Sequence, residues 1–314
     1  MLNQSFTSQP VDDVINDDHT LAVIPLVSNC EPFSPGVIPS GTAVAKAESA
    51  PVNEVWTVSG KVSRGQTGAN YWSKTDDVIC VAQWLSKDEC KEIEQETERA
   101  YSSMLSLLQE EGFTHPFRFW NYLPKINYGK GDEELYKKFC TGRLNAFNEQ
   151  NIEPSSFPAA SALGHHSDGA VFYVFASKSK PQHFKNVQQV NAYEYPRQYG
   201  ISSPSFARAT ALTLAQSPFL FISGTASIIG HKSVEIGNLD RQLDVTLANI
   251  EWLLENANPE NTRLEAFKVY VRHEQHVAQT RDWLAARFPD VAAVFVIADI
   301  CRKELLVEIE CFCL

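Results

Sequence analysis

FLFISGTASIIGHKSVEIGNLDRQLDVTLANIEWLLENA (219–257), followed by AFKVYVR (266–272), AVFVIA (293–298) and LLVEIECF (305–312), decides the fold class. Phe219 to Ser223 is a short apolar run closed by Gly224, the pattern of a buried strand that ends in a turn. Leu243, Leu247, Ile250 and Leu254 recur at three- and four-residue spacing, which predicts an amphipathic helix over Leu239 to Asn256. AFKVYVR reads as the next strand, a shorter helix spans about His276 to Phe288, and two strands close the chain. In the last of them, period-two alternation puts Glu308 and Glu310 on one face and Val307 and Ile309 on the other. The unit is α/β, and its final strand offers carboxylates to a small-molecule site.

Working outward, a similar order appears upstream. SKDE, with Ser86 and Glu89 as a capping box, opens a helix that runs through Ile93, Met104 and Leu108 to Gly112. FRFWNYL (117–123) is an aromatic strand stopped by Pro124, and a second helix starts near Asp132 with Leu135, Phe139 and Phe147 on one face. After the loop PSSFPAASALGHHSDG come the strand AVFYVFA (170–176) and a strand expected near 187–194. The recurrence of helix, strand, helix, strand, strand suggests two related halves, with 117–123 the counterpart of 266–272 and both near a shared interface. Residues 1–50, rich in Ser, Pro, Asn, Asp and Val, are expected to be a partly ordered arm with one or two strands, ahead of units at 51–200 and 201–314.

A chain of 314 residues with 44% hydrophobic residues buries one large core or two to three smaller ones without a disulfide or metal staple. The net charge of −11 argues against a nucleic-acid surface, because no clustered Lys and Arg stand ready to neutralise phosphates. An anionic ligand would therefore need a few local arginines acting against the global field. The seven cysteines, at 30, 80, 90, 140, 301, 311 and 313, are odd in number and scattered, which favours a reducing, cytoplasmic setting over a secreted disulfide framework. The acidic N-terminus lacks the basic and apolar regions of a signal peptide, and no apolar run approaches the ~20 residues of a membrane helix.

The order Ser223-Gly224, Gly237, Gln242, Asn249, Val269 to Val271 and Val307 to Glu310 resembles the RidA (YjgF) family over about a third of the chain. FWNYLPKIN (119–127), GRLNAF (142–147), YEYPRQYG (193–200), SPSFARA (203–209) and ADICR are not features of that family; together they resemble the chorismatases, larger proteins built from RidA-like units. The resemblance implies tandem α/β units with helices on mixed sheets and internal pseudosymmetry. Where simple RidA proteins carry an arginine before the penultimate strand, this chain has Val291-Ala292-Ala293, so carboxylate binding falls to other arginines.

The implied substrate is chorismate, a ring carboxylate joined through an enol ether to a pyruvyl carboxylate. Two carboxylates suit two guanidinium forks, and Arg208 and Arg272 are the leading candidates, with Arg197 and Arg143 next. Enol-ether cleavage needs a proton donor, and a buried carboxylic acid is suited to that role. The resemblance assigns it to Glu308, seven residues from Cys301, with Glu310 in reserve. A cysteine at 301 resembles the branch of the family that forms a hydroxybenzoate rather than a dihydroxycyclohexadiene acid. Tyr195 and Tyr199 are candidates to hydrogen-bond substrate, and Ser223 with the Gly224 amide to hold it.

His165-His166 with Asp168 reads as a polar loop, since adjacent side chains diverge and no companion motif appears, and Cys311-x-Cys313 is a weak metal pair. There is no P-loop or dinucleotide fingerprint. The expected protein is a chorismatase without metal or cofactor, acting as a monomer and giving pyruvate and 3-hydroxybenzoate. The alternatives are hydrolysis to the diene diol, a RidA-type imine deaminase, which the missing arginine disfavours, and a metabolite-binding module without activity.

Overall fold

Three segments far apart in sequence supply side chains to one inter-sheet core, and the alternation expected of each strand explains how. In a computed structural model the chain is described over residues 1–46, 52–258 and 260–314. Strands β1 (Leu2–Thr7), β2 (Thr20–Pro25) and β3 (Asn53–Val58) form a small antiparallel sheet, with the short helix α1 (Val11–Ile15) between the first two. The next unit comprises β4 (Ser63–Thr67), β5 (Asn70–Lys74), β6 (Val78–Leu85), α2 (Ile93–Glu110), β7 (His115–Pro124), α3 (Leu135–Glu149), β8 (Ala159–His165) and β9 (Ala170–Ser177). The last comprises β10 (Gln182–Phe184), β11 (Ala209–Leu214), β12 (Ser217–Thr225), the hairpin β13 (Ile228–Ile229) and β14 (Lys232–Ser233), α4 (Leu239–Asn256), β15 (Leu264–Val271), α5 (Val277–Ala285), β16 (Ala292–Ile297), β17 (Asp299–Ile300) and β18 (Val307–Cys313).

The repeat read from element order is a repeat of topology. One sheet runs β8-β7-β9-β6-β5-β4 and the other β16-β15-β18-β12-β11-β10, each with one parallel pair, β7 with β8 and β15 with β16, joined by a crossover helix. β17 leaves the second unit and pairs with β8, so the chain before β18 is anchored on the first sheet. Helices cover the outer faces: Tyr101, Met104 and Phe147 pack on Phe119, Phe172 and Val174, and Leu243, Ile250 and Leu253 pack on Val269, Val307 and Ile309. The inner faces meet each other, bringing Trp120, Tyr173 and Phe175 against Phe221, Tyr270 and Phe312.

The small sheet closes this inner core. Trp56 of β3 packs on Trp120, Phe175, Phe221 and Phe312 with ring centroids 5.2–5.9 Å apart. Such pairs contribute about 0.5–1.5 kcal/mol each beyond the area they bury. The arm is therefore more ordered than its composition suggests: all six residues of β2 are buried, because their partners lie in β3 and in the aromatic core rather than nearby in sequence. Part of the expected arm, residues 47–50, lies outside the described residues.

One further expectation changes. No strand forms over 187–194; the segment makes a single-turn 3-10 helix at Ala192–Glu194, with another just after it at Arg197–Tyr199, and Val190 bonds across to Gly230 instead of along a ladder. β10, at Gln182–Phe184, pairs with β11 at the edge of the C-terminal sheet. The capping box is present, with Ser86 N donating to Glu89 at 2.7 Å and Glu89 N to Ser86 Oγ at 3.3 Å, over the 3-10 turn that leads into α2.

At the centre of the inner core four charges are buried together. Lys268 Nζ of β15 lies 2.5 Å from Glu54 of β3 and 3.1 Å from Glu310 of β18, and Arg118 of β7 lies 2.5 Å from Glu310. Removing one member of such a set leaves an uncompensated charge in low dielectric, costing about 3–5 kcal/mol. Lys268→Ala should lower the unfolding free energy by about that amount in urea titration, while Lys61→Ala, which breaks an exposed pair with Asp18, should leave it within about 0.5 kcal/mol. Equal midpoints for the two variants would contradict the assigned role.

Candidate active site

The site begins where β12 parts from β18. Their antiparallel ladder shifts register between Ile222 and Thr225, so Ser223 and Gly224 leave the regular pairing beside Glu308. A Cβ at Gly224 would fall on the Glu308 carboxyl, so the close approach of backbone and side chain requires glycine. Gly224 N donates to Ser161 Oγ of β8 at 3.0 Å, joining the two units at this point.

Around that junction lies a cavity of about 270 Å³ with a deeper lobe of about 40 Å³, a size for a small ligand. Tyr195, Tyr199, Phe206 and Arg208 line it from the long β10–β11 connection, Cys301 and Arg302 from the loop before β18, and Tyr136 from α3. Glu308, Gly224, Cys301, Tyr136 and Phe206 are common to both lobes, and Arg143 and Ser161 line the deeper one. Arg208 Nη2 donates to Tyr195 Oη at 2.8 Å and to Val190 O at 3.0 Å, leaving its buried Nε without a partner. Arg143 is 1% exposed, and its Nε and Nη2 have no partner. Arg302 lies over the Tyr199 ring at 4.0 Å and donates to His231 O at 2.9 Å. Buried cationic donors without acceptors mark a place for an anion, set against the net charge of −11 of the whole chain.

The two carboxyls of β18 are pushed apart electrostatically. Glu308 is 4% exposed and has no hydrogen-bond partner among the described residues; burial first, then the Glu310 charge, raise its pKa to about 8 against the pull of Arg118, Arg208 and Arg272. Burial would raise Glu310 too, but Lys268 and Arg118, with hydrogen bonds from Ser161 and Trp120, hold it below the usual carboxylate range. Oppositely shifted neighbours of this kind separate an acid from a fixed anion. The Cys301 thiol is pushed up to about 12, by burial and then by Glu308, and so stays protonated.

Of the residues singled out in the sequence, Glu308, Cys301, Arg208, Arg143, Tyr195, Tyr199 and Gly224 converge on the cavity. Arg272 does not line it. Its guanidinium is spent on Asp299 at 2.5 Å and on the carbonyls of Ile300, Arg302 and Leu305, so it shapes the loop that carries Cys301 and Arg302. Arg197 is an exposed side chain in a two-bond pair with Asp132, both at 2.8 Å. Ser223 is buried in backbone bonds, donating to Ala207 O at 2.6 Å and accepting from Ala160 N at 2.9 Å. Glu310 is a buried structural anion outside both lobes. Sequence reasoning missed Arg302, Tyr136 and Ser161, though Arg302 stands inside the ADICR motif itself. Buried His165 bonds Ser167 at 2.7 Å, and among the described residues no group of three His, Cys, Asp or Glu is arranged to hold a metal.

A family model for "Chorismatase FkbO/Hyg5-like, N-terminal" matches residues 54–176, from β3 through most of β9. A 3-hydroxybenzoate synthase of Streptomyces hygroscopicus is 35% identical over 277 residues, 83% of this chain and 81% of that protein. The chain belongs to the chorismatase family. A second chorismatase from the same organism is 33% identical over 269 residues, covering 82% of this chain and 78% of its own length. A chorismatase crystal structure superposes with a TM-score of 0.89 at 27% identity, covering 100% of this chain and 98% of the other. The chorismatase architecture therefore extends over the whole chain, including the N-terminal strands that close its core.

A chorismatase cysteine with a thiol pKa near 12 is a poor nucleophile at neutral pH. At pH 8 about one Cys301 side chain in 10,000 is a thiolate, so iodoacetamide should label it far more slowly than free cysteine, with labelling rising as pH is raised. Rapid modification of the Cys301 peptide at pH 8, read by mass spectrometry, would overturn this assignment.

Proposed function

We propose that this protein converts chorismate to pyruvate and 3-hydroxybenzoate, with Glu308 as the proton donor. The observation that carries the reading is the Glu308 carboxyl: buried, without a hydrogen-bond partner among the described residues, with its pKa raised to about 8, and lining both lobes of the cavity, the outer with Arg208 and the deeper with Arg143. Protonating the enol-ether methylene turns the enolpyruvyl group into an oxocarbenium ion that can be released as pyruvate. As the ring C–O bond of the ether breaks, the neighbouring hydroxyl oxygen must bond to the vacated ring carbon, forming an arene oxide that reopens at the oxygen's original carbon. Loss of the ring proton from the carbon that now carries oxygen, to the carboxylate left by Glu308, then aromatises the ring to the 3-isomer. The atoms of chorismate equal those of pyruvate plus a hydroxybenzoate, with no net water.

Arg143 in the deep lobe and Arg208 in the outer one are suited to the two carboxylates of the substrate, with Arg302 and Tyr195 completing the outer site. A protonated Cys301 beside Glu308 supports a role in shaping and proton-balancing the ring intermediate rather than covalent attack. The 3-hydroxybenzoate product is supported by the name of the relative that is 35% identical. The seven free cysteines support a cytoplasmic setting, and no helix among the described residues is long and apolar enough to cross a membrane. A site formed between two units of one chain supports action as a monomer.

Incubation of the purified protein with chorismate, followed by chromatography, should give pyruvate and 3-hydroxybenzoate in equal amounts; absence of pyruvate would refute the proposal. Glu308→Gln should lower pyruvate release by about 10²–10⁴-fold, the contribution general-acid catalysis makes. Because the acid must carry its proton, wild-type activity should be full below pH 8 and fall as pH rises through about 8. Cys301→Ala should shift the product toward the diene diol, and an unchanged hydroxybenzoate yield would remove Cys301 from product control.

A further inference from the structure

We propose that Glu310, which lines neither lobe of the cavity, is a positioning residue for the reaction: a fixed buried anion that keeps the proton on Glu308 until substrate takes it. The inference rests on the reading of Glu308 as the acid and adds the device that holds it in the acid form.

Glu310 receives five donors. Arg118 Nη2 and Ser161 Oγ each donate to Oε2 at 2.5 Å, and Trp120 Nε1 at 3.0 Å, Tyr270 Oη at 3.2 Å and Lys268 Nζ at 3.1 Å approach Oε1. A carboxyl with every neighbour donating has no acceptor for a proton of its own, so it is an anion. Glu308 lies two residues away on the same face of β18, about 7 Å along the strand. Ionising Glu308 would place a second buried negative charge beside the first.

Ser161 makes the coupling more than Coulombic. It lines the deep lobe, and both its Oγ and the Glu308 carboxyl crowd the same point beside Gly224. A hydroxyl has one proton to give. Ser161 gives it to Glu310, while accepting from Arg118 Nη2 at 2.7 Å and from Gly224 N at 3.0 Å. Glu310 thereby withdraws the donor that would otherwise stabilise a Glu308 carboxylate.

The other groups around Glu308 pull in known directions. Arg118 on β7, Arg208 on the β10–β11 connection and Arg272 after β15 favour its ionised form. Arg143 and Tyr136 on α3, Tyr195, and Cys301 and Arg302 before β18 line the cavity, with Glu134 and Glu304 beside them, and Tyr270 on β15 is the register partner of Glu308. Without Glu310 the two cations of the buried network, Arg118 and Lys268, would face Glu54 as its one remaining carboxylate.

The test is the pH dependence of kcat/KM for pyruvate release, which reports the free enzyme. In Glu310→Gln the basic limb should move down from about 8 by at least about one pH unit, with activity retained below the new limb. The double variant Glu310→Gln/Lys268→Met, which restores charge balance if the single variant folds poorly, should move it the same way. Trp120→Phe removes one hydrogen bond to Glu310 but not its charge, and should leave the limb in place; Glu310→Asp should restore it towards the wild-type position. A folded double variant with the wild-type limb, or with no activity at any pH, overturns the proposal. A Trp120→Phe limb displaced as far as that of Glu310→Gln also overturns it. Wild-type protein that releases no pyruvate would instead refute the assignment of Glu308 on which the inference stands.

Discussion

Glu54, Lys268, Glu310 and Arg118 form an ionic interaction in which the three larger sheets take part. Glu54 comes from the N-terminal sheet, Lys268 and Glu310 from the C-terminal unit, and Arg118 from the first. Two cations and two carboxylates in an aromatic interior are tolerable only together, because each alone would carry a desolvation cost that nothing nearby offsets. The set thus fixes how the sheets dock, a matter on which apolar packing, being non-directional, is less strict. Hydrogen bonds from Trp56 and Gln4 to Glu54, and from Trp120 and Tyr270 to Glu310, extend it into the surrounding core.

The active-site cavity is the continuation of that interface. Moving two residues back along β18, from Glu310 to Glu308, leads out of the ion network and into the space that the departing β12 strand leaves open. The first unit supplies Arg143, Tyr136 and Ser161, and the second supplies Glu308, Cys301 and Arg302. β17 ties the Cys301 loop to the first sheet, and Arg272 braces it from behind, so the loop that lines the cavity is held by both units at once. Both units of the one chain thus line the cavity.

Much of the architecture was legible because its signals are local. The helix over Leu239–Asn256 follows from leucine spacing, and the facing pair Glu308 and Glu310 from strand alternation. Arg208, Arg143, Cys301 and the two tyrosines stood in motifs whose family resemblance named them. Arg272 and Arg197 do not line the cavity, and the sequence could not show it: a guanidinium looks the same whether its donors face a cavity or are used up, and Asp299 and the loop carbonyls that occupy Arg272 were not visible as partners. The arm was underestimated because β2 is buried by β3 and by rings more than 60 residues away. A signal did exist for the network: Arg118 in FRFWNYL and Lys268 in AFKVYVR are lone cations inside buried strands, which require buried anions to meet them.

The sequence by itself determined the elements, their recurrence in two units and the carboxylate face of the last strand, since these depend on periodicities of two and 3.6 residues that neighbours in the chain enforce. Only the tertiary structure decided which carboxylate faces the cavity and which is bound into the ion network. Glu308 and Glu310 are equivalent in pattern, two residues apart on one face, and differ in what the other sheets bring to them: five donors to Glu310, and to Glu308 a cavity and no hydrogen bond. Proton affinity is set by desolvation and by charges across space, and the charges that fix Glu310 come from β3, β7 and β15, strands removed from β18 in sequence and brought to it by the fold.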